Sequence, residues 1–164
     1  WFDHIMDTYP ADARDFMKSQ GDRFANPVGS SISAGITALF HRLVEGGEID
    51  CKETADVLDE IIRIRAVQNF TPAEAVAFVF FLKLIAREAL GDSIRAGTHF
   101  AELLTFETRV DKLSLLAFNV YVQCREKVYE IRAKELRELT SRIVQRACQV
   151  WDGGGIEGPR PDEV

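Results

Sequence analysis

Apolar residues recur along this chain at steps of three and four, and no stretch shows the convincing apolar–polar alternation of a half-buried strand. Steps of three and four place side chains on one face of an α-helix, where they can pack against other helices. The pattern is helical nearly throughout. The sequence therefore predicts an all-α fold, built as a helical bundle.

The first fifty residues predict two short helices and one longer amphipathic helix. The short helices fall within residues 1–20, with Pro10 near the start of the second. Asn26 is a good N-cap, and Pro27 fits the first helical position, where its missing N–H costs nothing. Gly46 begins a pair of glycines that ends the longer helix. The apolar face of that helix consists of Val28, Ile32, Gly35 with Ile36, Leu39 and Leu43.

Two further helices meet at a sharp corner near residue 70. The first is amphipathic and covers about 51–68. The second begins at Thr71-Pro72-Ala73-Glu74, a capping box with proline at the first helical position. Phe70 stands where a hydrophobic staple would form. The stretch 75–82, AVAFVFFL, is apolar on all sides, so we expect this helix to be enclosed by other helices.

The C-terminal third predicts one long helix, because residues 110–151 contain neither proline nor glycine. Such a helix would be about 60 Å long, whereas a domain of this size has a radius of gyration of about 15 Å. Its first apolar positions are typical of a domain core: Leu113, Leu116, Val120, Tyr121 and Cys124. Beyond them the apolar residues narrow to a stripe between charges, which is typical of a helix that pairs with a partner. This candidate partner seam consists of Val128, Ile131, Leu136, Leu139 and Ile143.

The length of 164 residues suits one domain. We assign residues 1–151 to a single helical domain that includes the long helix at about 110–151. Residues 152–164, DGGGIEGPRPDEV, are rich in glycine and proline and predict a flexible tail.

Charge and cysteine usage limit the kinds of binding partner and the cellular compartment that fit this sequence. The net charge is −6 with both signs interspersed, which argues against nucleic acid or an anionic membrane as the partner. Membrane insertion is not expected either, because Lys83 and Arg87 interrupt the apolar run and a bilayer span needs about 20 apolar residues. Cys51, Cys124 and Cys148 lack CxxC spacing and predict free thiols in a reducing compartment. We therefore expect a cytoplasmic protein.

Motifs for catalysis or for metal binding are missing from the sequence. It contains no Walker pattern, GxGxxG, HExxH, paired-cysteine zinc spacing or GxSxG elbow. No nucleophile–base or acid–base constellation can be assembled, so we expect no enzyme, no metal and no cofactor. His4, His41 and His99 are far apart in the sequence. One open alternative is haem with His99 as its axial ligand, since one histidine would suffice in an apolar pocket.

Four basic residues around the corner form a set of candidate polar contacts. Arg63 and Arg65 stand at the end of a helix whose surrounding positions are apolar. The ordinary interpretation is that they cap the helix and form salt bridges there. The functional interpretation is an anion or partner contact that they form with Lys83 and Arg87 across the corner.

Two aromatic residues of the apolar helix are candidate pocket walls. Phe78 and Phe81 belong to the core if this helix is fully packed. If the helix lines a cavity instead, these rings form its walls, and the protein is a small-molecule sensor.

Three stretches together resemble a known family. They are DRFANPVG at 22–29, RIRAVQNFTPAEAVAFVFFLK at 63–83, and AFNVYVQCREKVYEIRAKE at 117–135. They resemble the RsbRD N-terminal domain family, which is named for an RsbT co-antagonist of the stressosome type. The resemblance covers about residues 1–148, and its second stretch is the most specific.

The resemblance implies a sensory or regulatory module of bacterial signalling. RsbR-type N-terminal domains are globin-like helical folds that dimerise and do not hold haem. In co-antagonists a STAS domain follows, which carries the phosphorylation and contacts the kinase. Here only a short tail follows Trp151, so the functions of a STAS domain are not carried over.

Our leading hypothesis is a non-enzymatic regulatory domain that acts through protein–protein interaction as a homodimer. Two arrangements of the long helix, biased by a ligand or a partner, would form the switch. The alternative is a small-molecule or haem-binding globin-like sensor.

Overall fold

The computed structural model describes residues 1–19, 21–68, 70–91, 93, 97 and 99–153, with side chains as far as residue 149. Within these ranges it contains six helices and no strand. The helices are α1 (Phe2–Met6), α2 (Ala11–Ser19), α3 (Pro27–Glu45), α4 (Lys52–Val67), α5 (Pro72–Ala89) and α6 (Phe100–Gly153). The predicted all-α fold with a long C-terminal helix is confirmed.

The chain divides into two units by its internal contacts, Trp1–Arg125 and Glu126–Val164. The first unit holds α1 to α5 and the first part of α6, and the second holds the remainder of α6. The assignment of 1–151 to one domain stays a prediction. The predicted tail lies outside the described residues from position 154 onward.

The core of the first unit is formed by the apolar faces that the spacing predicts. Gly35 lets α3 approach α4 closely, since a Cβ at this position would lie 2.9 Å from Ile61 Cδ1. The largest apolar side chains that are fully buried include Ile5, Met6, Ile32, Leu39, Leu43, Leu58, Ile61, Ile62, Phe78 and Leu113. Every helix of the unit except α2 contributes to this list, so the core joins the helices around one centre.

Local signals begin and end the helices where the sequence predicts. The Asn26 side chain accepts a hydrogen bond from the Gly29 N–H at 2.9 Å. Gly46 ends α3 with a φ of 80°, a left-handed conformation that suits glycine. Thr71 and Glu74 form the predicted capping box at the start of α5. These contacts join residues within a few positions of each other, which is why the sequence alone identifies them.

Two expectations about the helices are corrected by the structure. The last helix begins at Phe100, about ten residues before the predicted start at about 110. No proline or glycine separates these positions, so the helix continues through them. The second expectation concerns α5, which is not enclosed on all sides. Phe80 is 47% exposed and Leu84 is 50% exposed, because the neighbouring helices cover only part of its circumference.

Candidate functional site

The most unusual side chain of the first unit is Arg65, which is fully buried near the end of α4. Its position on the helix explains the burial. Leu58 and Ile61 lie seven and four residues earlier on the same face, and both are core residues. The period of the helix therefore carries Arg65 into the core, where arginine is seldom found without a partner.

Within the described part of the chain, the guanidinium of Arg65 makes two hydrogen bonds that meet ordinary geometry, both through Nη2. This nitrogen donates to Thr8 Oγ1 at 3.2 Å and to the backbone carbonyl of Glu74 at 3.0 Å. The capping box fixes the start of α5 and thereby places the Glu74 carbonyl against the end of α4. The corner between the two helices is thus held by a buried charge as well as by its cap.

Aromatic rings surround the rest of the guanidinium. Its central carbon lies 4.1 Å from the centroid of the Phe70 ring, 5.4 Å from that of Tyr9 and 5.9 Å from that of Phe78. The faces of aromatic rings attract cations within about 6 Å. Tyr9 and Phe70 also meet edge to face, with centroids 5.3 Å apart. These rings stabilise the charge through their faces, and the Tyr9 hydroxyl lies close enough to interact electrostatically with the guanidinium.

The hydrogen-bonding capacity of Arg65 is only partly used. Its Nε and Nη1 are buried and have no hydrogen-bond partner among the described residues. No carboxylate of that part of the chain forms an ion pair with Arg65. The nearest candidate, the Glu74 carboxylate, accepts instead from the Thr71 N–H at 2.9 Å and the Thr71 hydroxyl at 2.8 Å. Burial lowers the pKa of Arg65 and raises the pKa of Tyr9, because both charged forms lose hydration.

A cavity of about 470 Å³ adjoins this group. It is lined by Thr8, Tyr9, Pro10, Ala13, Gln68, Phe70 and Glu74. Several of these residues also contact the guanidinium of Arg65, which lies behind the cavity wall. The Tyr9 hydroxyl and Gln68 Oε1 are buried without a hydrogen-bond partner within the described ranges. The cavity thus combines a nearby positive charge with two unused polar atoms on its lining residues.

The other candidate basic residues lie elsewhere and are paired with carboxylates. Lys83 forms an ion pair with Asp111 at 2.6 Å. Arg87 binds Glu107 through two bonds of 2.6 Å and 2.9 Å, which lower the pKa of that carboxyl. Together these pairs join α5 to α6. The structure therefore does not bring Lys83 and Arg87 together with Arg65 into one contact.

Arg63 is exposed on α4 and pairs with Asp59 one turn earlier. It follows the ordinary interpretation of an arginine near the end of a helix. Of the four candidate polar contacts, Arg65 alone has no carboxylate partner among the described residues.

The candidate pocket walls lie on the side of α5 that faces α1. Phe78 is fully buried, and its ring stacks on Trp1 with centroids 6.1 Å apart. The Trp1 indole N–H also donates to the Phe78 carbonyl at 2.6 Å. Phe81 is half-buried beside His4, with ring centroids 5.8 Å apart. Neither phenylalanine lines the cavities described here.

A second cavity, of about 340 Å³, lies on a different face of α5. Leu82, Ile85, Ala86 and Ala89 form its floor, and Phe40 is among the residues facing them from α3. Its walls are almost entirely apolar. Among the described residues that line it, Glu102 alone carries a side-chain group that could orient a polar ligand.

The candidate partner seam lies in the second unit, on the later part of α6. Ile131, Leu136, Leu139 and Ile143 are each more than half exposed, whereas Val128 is half-buried. A helix turns by about 100° per residue, so Leu136 and Ile143 lie about 20° apart around the axis. Ile131 lies about 140° from Leu136 by the same geometry. The helix therefore brings Leu136, Leu139 and Ile143 together on one face but leaves Ile131 outside it.

A row of exposed apolar residues in the first unit was not identified from the sequence. Leu115, Phe118 and Val122 follow one face of α6 at steps of three and four, and all are exposed. The interleaved residues Leu113, Val120 and Tyr121 are buried, as predicted. The signal was present in the sequence, because α6 carries apolar residues on more than one face there.

The described residues also bear on metal binding and on membrane insertion. No group of three or more potential ligands that could hold a metal occurs in the described ranges. His99 is exposed, with a φ of 63°, immediately before α6 begins. None of the described helices is both long enough and apolar enough to cross a membrane.

Comparison with known proteins identifies the class of domain to which this geometry belongs. Residues 1–136 match the family described as "RsbT co-antagonist protein rsbRD N-terminal domain". Because the match covers most of the chain, the protein belongs to this family of regulatory signalling domains. The predicted family is confirmed.

A curated relative extends the comparison to another organism. An uncharacterized protein of Archaeoglobus fulgidus is 25% identical over 140 residues, covering 82% of this chain and 79% of its own length. No solved structure matches the chain. Globin-like packing therefore stays a prediction.

Proposed function

We propose that this protein is a non-enzymatic regulatory domain that acts through protein–protein interaction and forms a homodimer along the later part of α6. Membership of the RsbRD N-terminal domain family supports the regulatory role. We place it in the cytoplasm, in a bacterial signalling system of the stressosome type. The absence of a disulfide among Cys51, Cys124 and Cys148 supports a reducing compartment.

The observation that carries this proposal is the apolar face of the second unit. Leu136 is 66% exposed and Ile143 is 68% exposed, and Leu139 lies beside them. A single exposed leucine needs no explanation, but a row on successive turns does. Steps of three and four along a helix bordered by charges are the pattern with which helices pair.

A second copy of the chain is the occupant that this face fits best. Both copies carry the same apolar row, so a two-fold arrangement covers both rows at once. The charges that border the row are mixed, with Glu138 and Arg142 already paired at 3.9 Å on the same helix. Two such faces therefore meet without a net repulsion of like charges.

Light scattering on the whole chain tests this assignment. We expect the native protein to have twice the chain mass and the double variant Leu136→Glu with Ile143→Glu to have the mass of one chain. Each copy would bury two added carboxylates against those of the other copy, and their desolvation opposes association. Circular dichroism should show that the variant remains helical.

A matched control adds the same charge on the opposite side of the helix. Ser141→Glu with Gln145→Glu introduces two carboxylates at exposed positions away from the apolar row. This variant should remain dimeric. A native protein with the mass of one chain would contradict the homodimer, and dissociation of both double variants would contradict the assigned face.

A further inference from the structure

We propose that the cavity beside Tyr9 binds a small organic carboxylate, held by the Tyr9 hydroxyl and by the buried charge of Arg65. The family match assigns no ligand to these residues. Binding at this cavity does not require the homodimer, so each can fail while the other stands.

The charge balance of the corner between α4 and α5 favours the binding of an anion. Arg65 is fully buried, and it has no carboxylate partner among the described residues. A buried charge without an ion-pair partner is costly, and the surrounding rings and the Coulomb attraction of the exposed Glu74 carboxylate offset only part of that cost. An anion in the adjoining cavity would supply the missing negative charge. Coulomb attraction is strong there, because the protein interior screens charges much less than water does.

The polar atoms on the residues that line the cavity also favour a carboxylate. Tyr9 is 8% exposed, and its hydroxyl has no hydrogen-bond partner in the described part of the chain. A phenolic hydroxyl that is protonated donates readily to a carboxylate oxygen. Burial raises the pKa of Tyr9, so the hydroxyl keeps its proton at neutral pH. Tyr9 therefore supplies a direct donor, while Arg65 supplies charge from behind the wall.

The remaining lining residues restrict the ligand further. Gln68 Oε1 is a buried acceptor without a partner among the described residues, so it fits a hydroxyl or an amino group on the ligand. Pro10, Ala13 and Phe70 offer apolar surface for a short carbon skeleton. The volume of about 470 Å³ lies within the range of small-molecule sites. These features indicate a hydroxy or amino carboxylic acid.

Glu74 limits the charge that the cavity accepts. Its side chain is exposed and lines the cavity, and its carboxylate is held by the capping box. A ligand with one negative charge matches the single positive charge of Arg65. A phosphate monoester carries nearly two negative charges at neutral pH, so Arg65 would leave one of them unbalanced beside the Glu74 carboxylate. We therefore infer a monocarboxylate.

Titrations with acid and amide pairs test the assignment on the whole chain. The probes are lactate and benzoate, each compared with its neutral amide, up to about 10 mM. Chemical shifts of the Tyr9 ring and of the Arg65 side chain report binding at the cavity. We expect saturable shifts with at least one acid and at least about tenfold weaker binding of its amide, since the amide lacks the charge.

Three variants locate the effect. Tyr9→Phe removes the hydroxyl and leaves the ring, so the acid should bind about tenfold more weakly. Arg65→Met removes the charge and retains an apolar side chain, so the preference for the acid over the amide should disappear. Arg63→Met changes an exposed arginine two residues away and should bind as the native protein does.

Several outcomes would overturn the proposal. Equal affinity for an acid and its amide would show that the cavity takes only the apolar part of the probe. Acid binding that is unchanged in Tyr9→Phe would place it elsewhere. The absence of saturable shifts with both acids at about 10 mM would show that the cavity does not select carboxylates. If Arg65→Met fails to fold, Tyr9→Phe and the comparison of each acid with its amide still test whether the cavity binds a carboxylate.

Discussion

Arg65 at the end of α4 and the basic residues Lys83 and Arg87 of α5 differ in how their positive charge is balanced. Where α5 starts, Arg65 is buried among Phe70, Tyr9 and Phe78 and has no carboxylate partner among the described residues. Further along the helix, each basic side chain meets an acidic one on α6. Those pairs are Lys83 with Asp111 and Arg87 with Glu107.

Lys83 and Arg87 therefore act as structural links between helices, whereas Arg65 retains N–H groups that could bind a ligand. The paired side chains at the edge of the bundle have satisfied their charges within the protein. Among the described residues, only Nη2 of Arg65 has hydrogen-bond partners, and Nε and Nη1 are buried without one. The contribution of Arg65 to stability should therefore come from packing and ring contacts. That of Arg87 should come from its ion pair with Glu107.

The largest effect is expected at the buried arginine. Arg65→Ala removes a large side chain from an enclosed position and should lower the free energy of unfolding by about 2–5 kcal/mol, as other large-to-small core substitutions do. Arg65→Met retains most of the volume and removes an unpaired charge, so it should cost at most about 1.5 kcal/mol. Urea unfolding measures both. Equal losses in the two variants would mean that the charge itself stabilises the corner.

The second effect depends on pH and concerns the paired carboxylate. Glu107→Gln removes the charge that Arg87 binds, so its melting temperature should be lower than that of the native protein at pH 7. The pKa of Glu107 is lowered in the folded state, chiefly by its hydrogen bonds to Arg87. Its stabilising contribution is therefore complete above the ordinary glutamate pKa of about 4.3. It is lost as the pH falls through the lower folded pKa.

Thermal melts of the native protein and of Glu107→Gln across this range provide the measurement. The difference between their melting temperatures should shrink below about pH 4.3 and then vanish. A difference that stays constant down to acidic pH would show that the ion pair is not its cause. Arg65→Met, which alters no carboxylate, should keep a difference from the native protein that changes little over the same range.

The smallest effect is expected at Lys83. Its ion pair with Asp111 leaves the carboxylate half exposed, and such pairs contribute about 1 kcal/mol or less. Lys83→Ala and Asp111→Ala, combined in a double-mutant cycle, isolate the pairwise contribution. It should decrease as salt is added, because ions screen exposed charges. A coupling free energy as large as the effect of Arg65→Ala would remove the contrast between the two regions.

Much of the fold was predictable, because it depends on neighbours in the sequence. The Asn26 cap, the Gly46 stop and the box of Thr71 and Glu74 each join residues a few positions apart. The apolar spacing identified α3, α4 and α5 for the same reason. The start of α6 was missed because residues 93–106 carry a weak apolar pattern, and a helix can continue where nothing breaks it.

Less of the candidate site was predictable. The sequence identifies Arg65 only as one of four candidate polar contacts, although its spacing from Leu58 and Ile61 is a signal from which its burial could have been predicted. The sequence did not show that Tyr9 would face it, since the two are far apart along the chain. The sequence groups Lys83 and Arg87 with Arg65 in one candidate contact. Their actual partners, Asp111 and Glu107, lie on α6, and no local pattern identifies them.

By itself, the sequence determined the family. It also determined most of the helices and their caps, because hydrogen bonds within a helix and at its ends depend on residues within one or two turns. Only the tertiary structure decided which charges are paired and which stay unpaired. Asp111 and Glu107 reach α5 from another helix, and Tyr9 reaches Arg65 from the segment between α1 and α2. Whether a charged side chain is a structural link or a candidate binding group depends on these distant neighbours, since they set its burial and its counter-charge.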